Sequence, residues 1–162
     1  MTSVLFVCMG NICRSPMAEG VFRKRLTEFA EDLQVQVDSA GTHSYHAGAP
    51  PDRRAQTATA RRGIDISMLQ ARRVVADDFD KFDYILAMDR DNLELLREES
   101  DARHHKKIKL LLDYSDLNRF GEVPDPYYGG SHGFERVLDL VDEATQGLLR
   151  ELARQQRLSR RR

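Results

Sequence analysis

The residues with the most evident chemistry in this chain are Cys8 and Arg14. They stand in Val4-Leu5-Phe6-Val7-Cys8-Met9-Gly10-Asn11-Ile12-Cys13-Arg14-Ser15-Pro16, where a cysteine ends an apolar run and Ser15-Pro16 opens a helical stretch. A thiol and a guanidinium joined by so short a loop suit a phosphate-like anion. The loop Met9, Gly10, Asn11, Ile12, Cys13 can turn its backbone N–H groups inward, and the helix N-terminus beyond it adds unpaired donors and partial positive charge. Cys8 would lie at the base of this cradle, with Arg14 at its lip. Arginine is the fitting cation, because its planar fork binds two oxygens at once. The loop is not the nucleotide-binding kind, since no Gly-Lys-Ser/Thr is present.

A free thiol near pKa 8.5 is only a few per cent ionised at neutral pH, and lowering it by about 2 units takes about 2.7 kcal/mol. Inward N–H groups, a helix start and Arg14 can supply that jointly, and the Ser15 hydroxyl can donate one more bond to sulfur. The expected step is in-line attack by Cys8 on phosphorus, with the cradle steadying the equatorial oxygens. The bland alternative is a small buried hydrophobe with no reactivity.

A leaving oxygen needs a proton. Asp125, in Glu122-Val123-Pro124-Asp125-Pro126-Tyr127-Tyr128-Gly129-Gly130, is held between two prolines and is the candidate acid. Asp-Pro is equally an ordinary turn sequence. Tyr127 and Tyr128 read either as walls for an aromatic substrate or as core filling.

The elements that must position these residues alternate. Val4 to Val7, Val35 to Val37, Tyr84 to Ala87 and Ile108 to Leu112 read as strands. A first helix starts at Ser15 as cap and Pro16, with Met17, Val21, Leu26 and Phe29 as its apolar stripe. A second runs from Asp52 to Arg62 and closes at Gly63; Asp89 caps a third. Phe134, Val137, Leu138, Val141, Leu148 and Leu152 recur at helical spacing in the last. The pattern predicts an α/β single-domain three-layer sandwich: a parallel sheet with helices on both faces and its site beyond the carboxyl ends of the strands.

These pieces resemble the low-molecular-weight protein tyrosine phosphatase family. The resemblance rests on Val4 to Pro16 with Met17-Ala18-Glu19, Asp38-Ser39-Ala40-Gly41, Asp83-Tyr84-Ile85-Leu86-Ala87-Met88-Asp89 and Asp125-Pro126-Tyr127-Tyr128-Gly129, in that order. It implies strand order 2-1-3-4, Cys8 as nucleophile, Arg14 as phosphate ligand and Asp125 as acid and then base. It also implies that Asn11 and Ser39 support the loop and that Tyr45 stands at the pocket rim. Cys13 matches a second loop cysteine able to pair with the nucleophile on oxidation; packing under the loop is the other reading. The chain departs at Leu69, where many relatives carry a histidine that bonds the loop asparagine, so Asn11 must find another partner. Only two cysteines are present, so an arsenate-reductase relay through two further thiols cannot run. An apolar Ile12 suits a tyrosine ring.

The expected activity is hydrolysis of phosphotyrosine in proteins, without cofactor or metal. A phosphate-binding module and an oxyanion reductase using an external thiol are the alternatives. The 162 residues, 41% hydrophobic and 31% charged, fit one domain, 1–155, with a frayed basic tail, 156–162. A formal net charge of −1 gives no global case for nucleic acid. No stretch suggests a membrane span or leader, two cysteines suit a reducing cytoplasmic setting, and a monomer or weak dimer is expected. His104-His105-Lys106-Lys107 reads as a solvated polar loop rather than a metal site.

Overall fold

The structure is a computed structural model that describes residues 1–161. Four parallel strands, β1 (Thr2–Cys8), β2 (Val35–Gly41), β3 (Tyr84–Ala87) and β4 (Ile108–Leu110), form one sheet in the order β2-β1-β3-β4. Around it lie α1 (Arg14–Phe29), α2 (Arg53–Ala60), α3 (Ala76–Lys81), α4 (Arg90–Glu99) and α5 (Ser131–Arg160), with 3-10 turns at Ala102–Lys107 and Leu111–Tyr114. This is the expected sandwich with the expected strand order.

β1 is apolar throughout because both of its faces are covered. Val4, Phe6 and Cys8 belong to the core shared with α1, α2 and α5, whereas Leu5 and Val7 belong to the core under α3 and α4. Phe6 meets Phe22 of α1 edge-on at 5.8 Å. All six apolar residues expected along α5 are buried. The helix also packs closely on the turn after β4, and a Cβ at Gly147 would lie 1.8 Å from the Tyr114 carbonyl oxygen.

Several boundaries differ from the sequence reading. α1 begins at Arg14, and Cys13 rather than Ser15 occupies the cap position, without a side-chain cap bond. The Ser15 hydroxyl is taken up by the loop it follows. Phe29 drops out of the apolar stripe and is largely exposed. β4 stops at Leu110, and α3 was not anticipated, its six residues being too few for a helical period to stand out. α5 continues through 156–160, where a frayed tail is expected. His104 is buried, stacked on Phe79 with Nε2 3.1 Å from an Asp80 oxygen, so the His-His-Lys-Lys run is a folded turn and not a solvated loop.

Candidate active site

The loop after β1 is framed from outside by its own carbonyl groups. The Cys8 and Met9 carbonyls accept from the N–H groups of Thr42 and His43, and the Ile12 and Cys13 carbonyls accept from those of Asp52 and Met17. With the oxygens tied outward, the N–H of Asn11 points to Cys8 Sγ at 3.3 Å. Those of Ile12 and Cys13 have no partner among the described residues. Gly41 lies beneath this turn, where a Cβ would come 2.6 Å from the Met9 carbonyl oxygen.

Asn11 is the internal brace. It adopts the left-handed φ of 58°, a region asparagine tolerates better than most side chains. Its Nδ2 donates to Ser15 Oγ at 2.7 Å and to Ser39 Oγ at 3.0 Å, while its Oδ1 accepts from the Arg72 backbone N–H at 3.0 Å. That main-chain donor is the partner that Leu69 does not provide. The Ser39 hydroxyl in turn donates a hydrogen bond to Glu19 at 2.8 Å, and Glu19 also accepts one from Arg23. Burial pushes the Glu19 carboxyl up, against the bonds from Ser39 and Arg23 that favour its charge. Ser15 Oγ, already an acceptor from Asn11, stands 3.0 Å from Cys8 Sγ and 3.4 Å from the Ala40 carbonyl, and its one proton can be given to either.

Cys8 is 3% exposed and Arg14 2%. The Arg14 Nη1 donates to Asp89 at 2.6 Å and to the Val123 carbonyl at 3.0 Å, and its Nη2 is 3.8 Å from Asp125. Burial opposes the guanidinium charge, but Cys8, Asp89 and Asp125 favour it, and the balance lies above the ordinary arginine value. Asp125 is about one-third exposed and accepts from the Tyr127 N–H at 3.0 Å, which closes a short turn. Cys13 is also buried, and burial pushes its thiol up to about 12.

Above these groups opens a cavity of about 300 Å³ bordered by Cys8, Ile12, Arg14, Tyr45, Asp125 and Tyr127, with Met9, Gly10, Cys13, His46 and Tyr128 completing its wall. The structure therefore brings Cys8, Arg14, Asp125 and the rim tyrosines to one opening, with Asn11, Ser15 and Ser39 behind them. Tyr128 is 93% exposed and is not core filling; Tyr127 packs edge-on to it at 4.9 Å. A deep thiol, free N–H donors, a fixed guanidinium and a carboxyl at the mouth suit covalent handling of a phosphoryl group.

Sequence reading missed Asp89 as the partner of Arg14, having assigned it only the helix cap it does form. A usable signal existed: Asp89 follows the carboxyl end of β3, the same sheet edge as Cys8. Arg72 contributes through its backbone and leaves no such signal.

A family model described as low molecular weight phosphotyrosine protein phosphatase matches residues 3–158. A protein named putative low molecular weight protein-tyrosine-phosphatase from Synechocystis is 44% identical over 94% of this chain and 97% of its own length. The human low molecular weight phosphotyrosine protein phosphatase is 47% identical over 83% of this chain and 85% of its own. The crystal structure of a protein tyrosine phosphatase from Entamoeba histolytica superposes with a TM-score of 0.91 at 40% identity, covering 96% and 99% of the two chains.

Proposed function

Because the chain belongs to the low molecular weight phosphotyrosine protein phosphatase family, a family of cysteine-dependent hydrolases, we propose that it removes phosphate from phosphotyrosine in proteins through a phosphocysteine on Cys8. The observation that carries this reading is the meeting of Cys8 Sγ, the Arg14 guanidinium and Asp125 at one cavity. Cys8 sulfur attacks phosphorus and the bond to the phenolic oxygen breaks, while Asp125 gives its proton to that oxygen. Water then attacks the phosphocysteine, Asp125 takes the water's proton, and phosphate leaves as the S–P bond breaks. Arg14 and the N–H groups of the loop hold the equatorial oxygens in both steps. Ile12 and Tyr127 flank the ring.

A cytoplasmic, redox-responsive enzyme is the wider reading. It is supported by two free cysteines in one loop: a peroxide would oxidise the Cys8 thiolate to the sulfenic acid, and the Cys13 sulfur would then form the S–S bond as the hydroxyl leaves as water. No described helix is long and apolar enough to cross a membrane.

The test is turnover of para-nitrophenyl phosphate and of a phosphotyrosine peptide in the presence of a chelator. Cys8→Ser is expected to lose at least about 10⁴-fold in kcat while still binding phosphate. Asp125→Asn is expected to lose roughly 10²–10³-fold on the peptide and far less on the activated nitrophenyl ester. Wild-type turnover without a phosphorylated Cys8 in quenched samples would overturn the covalent route. Binding without any turnover would favour a phosphate reader, and thiol-dependent oxyanion reduction would favour a reductase.

A further inference from the structure

Two basic segments that look unremarkable separately come together in the fold. The turn Ala102–Lys107 brings Lys106, and β4 brings Lys109, to face Arg150 and Arg154 from the far half of α5. Arg97 from α4 and Arg119 from the loop toward Asp125 complete a groove of about 870 Å³. It shares no lining residue with the cavity over Cys8. Six permanent cations thus gather on one face of a chain whose net charge is −1.

Against Asp113, Asp116 and Glu151 in the same lining, the six cations leave the groove positive. Arg150 pairs with Asp116 and Arg154 with Glu151, but Arg97, Lys106, Lys109 and Arg119 form no ion pair among the described residues, the Arg119 guanidinium lying 5.7 Å from the centroid of the Phe120 ring. The lip beside them is apolar: Leu117 is 81% exposed and Phe120 64%. Phe120 also holds a φ of 65°, a conformation bulky residues rarely adopt, and is pinned there by a 2.6 Å bond from the Arg90 guanidinium to its carbonyl. The backbone of the lip is thereby tied to the start of α4.

We propose that this groove docks an acidic segment of a protein partner, with carboxylates on Lys106, Lys109 and Arg119 and an apolar side chain on Leu117 and Phe120. A polypeptide fits better than a nucleic acid or polyphosphate, because Asp113, Asp116 and Glu151 are interleaved with the cations and repel a uniformly charged backbone. Exposed apolar residues beside a charged groove mark an interaction surface.

The test uses the whole chain and a fluorescein-labelled peptide of glutamates interspersed with leucine and phenylalanine, followed by anisotropy. Saturable binding is expected that weakens as salt rises from about 50 to about 300 mM. The triple variant Lys106→Glu/Lys109→Glu/Arg119→Glu should lose about tenfold or more. Phe120→Ala should lose about threefold at every salt concentration. Arg61→Glu, an exposed cation outside the groove, should lose nothing. If the triple variant fails to fold, Lys106→Gln/Lys109→Gln reads the same loss at smaller size. Absence of saturable binding, equal losses in Arg61→Glu, or equal affinity for oligothymidylate of matching charge would overturn the proposal. Para-nitrophenyl phosphate turnover by the same wild-type preparation reads the phosphatase assignment separately.

Discussion

The cavity over Cys8 and the groove beside β4 both attract negative charge, but they are made of different material. The first uses backbone N–H groups and an arginine that is 2% exposed, with its loop carbonyls and Asn11 locked into a hydrogen-bonded frame. The second uses side chains standing in solvent on five separate segments, four of those side chains without an acidic partner among the described residues. A reaction at phosphorus needs donors fixed before the substrate arrives, because reorganising them would raise the barrier. Holding a flexible partner needs complementary charge on long side chains and an apolar contact beside it, neither of them fixed in advance to a fraction of an ångström.

That contrast can be broken or sharpened by substitution. Removal from solvent should show most strongly at Cys13. With its thiol near 12, about one molecule in 10⁴ is ionised at pH 8. In a Cys8→Ser chain, which keeps the burial but loses the Cys8 charge that also raises this thiol, labelling by iodoacetamide should still be at least about 10²-fold slower than at an ordinary cysteine and should rise about tenfold per pH unit over pH 8 to 10. Labelling at an ordinary rate at pH 8 would mean the loop is open. Next in size is Arg14→Lys, which keeps the charge but not the fork, and should cut kcat on aryl phosphate by roughly 10²–10³-fold. A loss below about tenfold would reduce Arg14 to a point charge like those of the groove.

Asn11→Ala removes three hydrogen bonds at a left-handed position, and should cost about 2–3 kcal/mol in denaturant unfolding along with most of the activity. Unchanged stability would show that the frame stands without its brace. The smallest effect is expected from the groove: the triple charge reversal at Lys106, Lys109 and Arg119 should alter para-nitrophenyl phosphate turnover by less than about twofold. A larger change would mean that the two regions are coupled through the Arg119–Asp125 segment.

What was legible in the sequence was what is local. Cys8, Arg14 and the loop between them lie within a few residues, and the apolar run before them reads as a strand covered on both faces. The Ser15 cap was misread because its hydroxyl finds Cys8 and Asn11 across the loop, partners that no cap preference anticipates. Asp89 could be seen as a cap and not as the anchor of Arg14, because that contact spans 75 residues. The replacement for the histidine missing at Leu69 is a backbone N–H, which any residue type supplies. The groove was invisible for the same reason: its basic segments are far apart in sequence, and only the packing of α5 on the turn after β4 brings them together.

Asp89 accepts the Arg14 fork with one oxygen and the Asn92 N–H at the start of α4 with the other. A single side chain thus belongs both to the reacting centre and to the opening turn of a surface helix. Fraying of that turn would loosen the guanidinium while the sheet is still intact. Heat is therefore expected to cut aryl phosphate turnover some degrees below the unfolding midpoint, and activity and melting curves recorded on one sample would coincide if the helix end played no such part.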